Sequence, residues 1–102
     1  MESVAELVEP ERLRLLSTKT SLEEGAAIAH SGAVHLTVNH TYEVSARVTT
    51  GTALMIVTLK SGLNGLTWSC TCWESLSQPN NPCPHCIAAA LVAWEKSSRF
   101  HR

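Results

Sequence analysis

Between Ala33 and Thr49 the chain alternates apolar and polar positions with a period of two. Val34, Leu36 and Val38 interleave with Ala33, His35 and Thr37, and Tyr42, Val44, Ala46 and Val48 interleave with Glu43, Ser45, Arg47 and Thr49. That period places one set on each face of a pleated ribbon, so both runs predict strands with one wet face. Asn39-His40-Thr41 and Thr49-Thr50-Gly51-Thr52 are turn sequences between them. The third run, Ala53-Leu54-Met55-Ile56-Val57-Thr58-Leu59, is apolar on both faces and predicts the central strand. Lys60 to Gly65 reads as a turn, and Leu66-Thr67-Trp68-Ser69 as a fourth strand of an antiparallel meander.

Flanking this block the period lengthens. Met1 to Lys19 has helical character, with Pro10 suited to a first turn and Leu7, Leu13 and Leu16 at helical spacing. Ser21-Leu22-Glu23-Glu24 resembles a capping box opening a short helix through Ile28 and Ala29, which Ser31-Gly32 ends. After Pro84 a run of strong helix formers, His85 to Lys96, is apolar nearly all round. Ile87, Leu91 and Trp94 form one stripe, assigned to the sheet, while Val92 and the alanines face elsewhere. A domain this small is not expected to surround such a helix, so 85–96 is also read as a partner or self-association surface.

The chemistry is concentrated at the junction of these elements. Cys70-Thr71-Cys72, ten intervening residues and Cys83-Pro84-His85-Cys86 hold every cysteine of the chain. Thiolates and a neutral imidazole at this spacing suit tetrahedral zinc, whose ligands converge at about 2.0–2.3 Å. Cys70, Cys72 and Cys83 are read as ligands; the spacing alone leaves His85 and Cys86 both open as the fourth.

The pattern WSCTCWESLSQPNNPCPHCIAAALVAWEK, Cys-x-Cys followed by Cys-x-His at the start of an alanine-rich helix, resembles the SWIM zinc finger of prokaryotic helicase-associated proteins. A weaker similarity in SGAVHLTV, TYEVSARV and ALMIVTL extends it over about residues 21 to 98. The resemblance implies His85 as the fourth ligand, leaving Cys86 a buried thiol on the first helical turn. It further implies DNA binding or protein interaction beside a nucleic-acid-processing machine, such as a SWI/SNF-type ATPase.

Composition narrows the alternatives. The chain has 102 residues, one domain by length, with 44% hydrophobic residues, enough for a core though a small one that a metal would brace. There is no apolar run of membrane-spanning length, and the acidic opening MESVAELVEPER is unlike a signal peptide, so an intracellular location, cytoplasmic or nucleoid/nuclear, is expected. In a reducing compartment clustered cysteines favour metal over disulfides. The net charge of −1 divides into −3 over residues 1–25, zero over 26–94 and +2 in the tail from Glu95. A neutral body argues against a strong autonomous DNA binder and puts protein contact slightly ahead. His30, His35, His40 and His101 read as surface or turn residues, and Trp68 and Trp73 as apolar shields for the sulfurs.

Two enzymatic readings compete. Cys83-Pro84-His85-Cys86 matches the dithiol of thiol-disulfide oxidoreductases, but only sixteen residues follow it and Cys70 and Cys72 are left without a role. Zinc hydrolysis with Glu74 as base needs an open coordination position that a cysteine-rich set seldom leaves. The sequence therefore predicts an α+β domain: a helical leader over 1–20, a SWIM-like domain over 21–98 with three to four antiparallel strands and a ββα-like zinc unit, and a basic tail, 99–102. The expected function is a non-enzymatic interaction module with structural Zn²⁺, binding protein and/or DNA, with no membrane and no small-molecule substrate.

Overall fold

The computed structural model describes residues 3–63, 65–72 and 81–100. Helices α1 (Val4–Leu7), α2 (Pro10–Leu16) and α3 (Lys19–His30) precede strands β1 (Val34–Asn39), β2 (Glu43–Thr50), β3 (Ala53–Gly62) and β4 (Gly65–Cys70), and helix α4 (Pro84–Phe100) follows. The strands form one antiparallel sheet in the order β1-β2-β3-β4, so the α+β meander expected from the sequence is what forms. No helix among the described residues is long and apolar enough to cross a membrane.

Alternation fixes which face of the sheet is covered. One transverse row is Leu36, Ala46, Val57 and Cys70; the next is Val44, Leu59 and Trp68. All seven belong to or pack on the core. The first cysteine of the chain thus ends a row of inward-facing apolar side chains. The opposite face carries Arg47 opposite Ile56 and Thr49 opposite Leu54, all exposed. β3 is internal to the sheet as its two-sided apolarity suggested, yet only one face is buried: Ile56 is 43% and Leu54 54% exposed.

Local differences from the sequence reading have local causes. The third helix starts at Lys19, with the Thr18 hydroxyl accepting from Ser21 N–H at 3.1 Å, so Ser21 lies inside the helix and caps nothing. A capping box does form at Ser3 and Glu6, ahead of α1. β3 runs on through Lys60, Ser61 and Gly62 because each finds a partner in β4, which shortens the expected turn. Between β2 and β3, Gly51 takes a φ of 62°, a left-handed conformation that suits glycine at a tight turn.

The expectation that this domain cannot surround its last helix is overturned. α4 packs on all four strands, on α1 and, most extensively, on α3, giving three layers: sheet, α4, α3. Ile87, Ala88, Ala89, Ala90 and Ala93 are all at most 2% exposed. The stripe assignment changes at Ile87, while Leu91 and Trp94 pack against the core as partly buried residues. Cys86, Ala89, Ala90 and Ala93 join the strand residues in one core, while Ile87 faces Gly25 of α3. Small side chains let the helix sit close to the sheet, and Ile87 meets the second helix at Gly25. Val4, Val8 and Leu13 from the first two helices complete the same core, and Val4 N–H donates to the Thr41 carbonyl at 2.8 Å.

Candidate metal centre

Two elements deliver the chemistry. The first is the end of β4, where Cys70 pairs with Val57 and points inward. Thr71, between the two cysteines, continues the pairing by side chain and backbone: its N–H donates to the Ile56 carbonyl at 3.2 Å and its hydroxyl accepts from Ile56 N–H at 3.0 Å. With the strand held on both sides of it, Cys70 and Cys72 are both buried.

The second element is the start of α4. Pro84 is its first residue, where a missing N–H costs nothing, and the Cys83 carbonyl accepts from Ile87 N–H at 3.1 Å. Cys83, His85 and Cys86 therefore cluster on the first turn. The height of that turn is set by α3: a Cβ on Gly25 would lie 2.5 Å from Ile87 Cγ2 and 3.0 Å from the Pro84 carbonyl oxygen. Only glycine permits this approach.

The result is a convergence of donors. One ligand atom each from Cys70, Cys72, Cys83 and His85 lies within 4.8 Å of every other, so these four residues could hold a metal ion. Cys83 Sγ is 3.8 Å from His85 Nδ1 and 3.7 Å from Cys86 Sγ. Tetrahedral zinc with ordinary bond lengths requires donor separations of about 3.8 Å between sulfurs and about 3.6 Å between sulfur and nitrogen. The Cys83–His85 separation is close to that figure, and the four donors as a set, within 4.8 Å of one another, need to close only modestly on an ion. Cys86 is thus a fifth donor beside the four, and its thiol also donates to the Ser69 carbonyl at 3.8 Å.

Electrostatics follow from this crowding. The Cys83 sulfur is held well below the ordinary thiol value of 9.0, foremost by its hydrogen bonds with the Cys70 and Cys86 sulfurs, with help from the Cys86 backbone N–H and His85. Cys70 is pushed up to about 12, chiefly by its own hydrogen bond to Cys83. Cys86 is raised as well, first by Cys70 and Cys83 and then by burial. Thiols this close cannot all ionise unless a cation neutralises them. A divalent cation at this point would take the place of the shared protons.

The other residues singled out from the sequence lie elsewhere. His30, His35 and His40 are exposed, at the end of α3, on β1 and in the β1–β2 turn. Trp68 packs against the core two residues before Cys70, and its buried Nε1 has no hydrogen-bond partner among the described residues. Trp73, Glu74 and His101 fall outside the described residues. Sequence reasoning missed Thr71 and Gly25, which lie against the two elements that carry the candidate donors. Their only local signals were a β-branched residue flanked by cysteines and a glycine within a helix. Comparison with protein-family models, with curated proteins and with solved structures finds no match.

Proposed function

We propose that this chain is a zinc-stabilised interaction module in which one Zn²⁺, bound by Cys70, Cys72, Cys83 and His85, joins the end of β4 to the start of α4. The observation that carries the reading is the approach of four soft and borderline donors to within 4.8 Å on two separately anchored elements. Four protein ligands leave no position for water, which is the mark of a structural rather than a hydrolytic site. When bound, the ion supplies neutralisation of the thiolates and a crosslink between sheet and helix. The resemblance of the motif to SWIM fingers supports the choice of His85 over Cys86 and a role beside a nucleic-acid-processing machine.

Thiol-disulfide exchange catalysis is the weaker reading. It asks for an attacking sulfur that a protein substrate can reach, and Cys83 is 2% exposed. For contact with a partner, α4 is largely enclosed, which leaves the outer sheet face, with Arg47, Leu54 and Ile56, as the better candidate. Its mixed apolar and basic character suits a protein partner first and nucleic acid second.

Native mass spectrometry tests the core of the reading: one zinc per chain, released on acid unfolding, is the expected result, and a metal-free folded chain with a Cys83–Cys86 disulfide would overturn it. A DNA titration at two salt concentrations then separates the partner classes, because binding through phosphates weakens steeply with salt.

A further inference from the structure

Five donors meet where a tetrahedral ion takes four. With Cys70, Cys72, Cys83 and His85 as ligands, the donor left over is Cys86, 1% exposed, with its sulfur 3.7 Å from that of Cys83. We propose that Cys83 and Cys86 are an oxidation site: hydrogen peroxide oxidises Cys83, Cys86 resolves it as a disulfide, and the module gives up its metal until the pair is reduced. The proposal rests on the metal-binding reading above.

The geometry favours this pair. Their sulfurs close from 3.7 Å to a bond of about 2.05 Å, and the Cys-x-x-Cys spacing at a helix start is one at which disulfides form and break. The chemistry balances in two steps. The Cys83 thiolate attacks the O–O bond of hydrogen peroxide, an S–O bond forms, and the departing hydroxide takes a proton to become water. Cys86 sulfur then attacks Cys83 sulfur; the S–S bond forms, the S–O bond breaks, and the departing hydroxide takes the proton given up by Cys86. Two electrons pass from the two sulfurs to peroxide, and two waters result.

The consequence for the site is a loss of one donor. Cys70, Cys72 and His85 remain, one fewer than a closed zinc site needs. The class of oxidant follows from burial. No thiol of the cluster is more than 6% exposed, which admits a water-sized peroxide and resists a bulky disulfide such as oxidised glutathione.

The test treats zinc-loaded protein with hydrogen peroxide, following zinc release with a colorimetric chelator and locating disulfides by mass mapping after alkylation. The expected result is release of the zinc with a Cys83–Cys86 bridge, reversed by dithiothreitol and added zinc, and little release by oxidised glutathione. Cys86→Ala should keep its zinc when untreated and, once oxidised, should not recover it under dithiothreitol, because an unresolved sulfenic acid oxidises further. Full recovery of zinc by oxidised Cys86→Ala under dithiothreitol, a bridge elsewhere, or equally fast release by oxidised glutathione would overturn the proposal while leaving the module reading intact. So would loss of zinc from untreated Cys86→Ala, which would make Cys86 a ligand. Wild-type protein without zinc would instead remove the module reading, and this proposal with it.

Discussion

Ile56 N–H donates to the Thr71 hydroxyl at 3.0 Å, and Thr71 N–H donates to the Ile56 carbonyl at 3.2 Å. Through this pair of bonds the residue between the two first cysteines is fastened to an internal strand, so the Cys70–Cys72 half of the site is built on the sheet. Thr71→Val keeps the branched shape and removes the hydroxyl. It is expected to lower stability by about 1 kcal/mol and to weaken zinc binding several-fold in a chelator competition, while Thr71→Ser stays near wild type. Equal zinc affinity in all three proteins would show that the tether does not position the ligands.

Gly25 and Ile87 control the other half. Gly25→Ala gains about 1 kcal/mol of helix propensity but forces a methyl group against Ile87 and the Pro84 carbonyl. Overpacking of this kind typically costs about 1–3 kcal/mol, and here one obstacle is backbone, so the clash outweighs the propensity. The expected outcome is a lower melting temperature. Combined with Ile87→Ala, the two changes should cost less together than the sum of each alone, a double-mutant coupling measurable by denaturant unfolding.

Removing a ligand should remove metal and fold together. Structural zinc sites contribute about 10–16 kcal/mol of apparent binding energy, more than the whole stability of a typical small domain. Cys70→Ser and Cys83→Ser are each expected to lose stoichiometric zinc and the cooperative thermal transition seen by circular dichroism. Retention of both by either variant would be incompatible with a structural site.

His85→Ala and Cys86→Ala decide the fourth ligand. With His85 in the set, His85→Ala loses zinc affinity by several orders of magnitude while Cys86→Ala keeps one zinc per chain. The reverse pattern would assign Cys86. Cobalt substitution gives a second readout, since the visible bands of the ion distinguish three sulfur ligands from four.

The metal-free protein should have a characteristic pH profile. Cys83 lies below the ordinary value of 9.0 when folded, so below pH 9 the unfolded chain binds the extra proton and stability rises as pH rises toward 9. Cys70 and Cys86 lie above that value when folded. Above pH 9 the unfolded chain releases protons that the folded one retains, and stability falls on the way to about 12. The fraction of the chelator-treated protein that stays folded, read as residual circular-dichroism signal, should therefore peak near pH 9. A curve still rising at pH 10 would contradict the assigned directions.

How much of this was legible follows from the range of the interactions. The strands were readable because a period of two in Val44, Ala46 and Val48 is a local consequence of one buried face. The donors were readable because zinc demands particular atoms at short spacing, and Cys70, Cys72, Cys83 and His85 are close in sequence as well as in space. The start of α3 was misplaced by three residues since Thr18 and Ser21 are both good caps, and only the backbone chosen by the chain decides between them.

The surroundings of α4 were not legible at all. Its alanines were equally consistent with an exposed docking face and with an interior, because composition records that a side chain is apolar and not what covers it. The cover comes from α3, some sixty residues earlier, through a contact that depends on the absence of a Cβ at Gly25. Likewise the sequence could name five candidate donors, but the approach of Cys70 and Cys72 to Cys83 and His85 depends on where β4 ends and how deeply the helix start is pressed against the sheet. Sequence by itself determined the elements and the chemistry available, since both arise from neighbours along the chain. Tertiary structure decided which faces are enclosed and how closely the donors meet, since those depend on the packing of segments far apart in it.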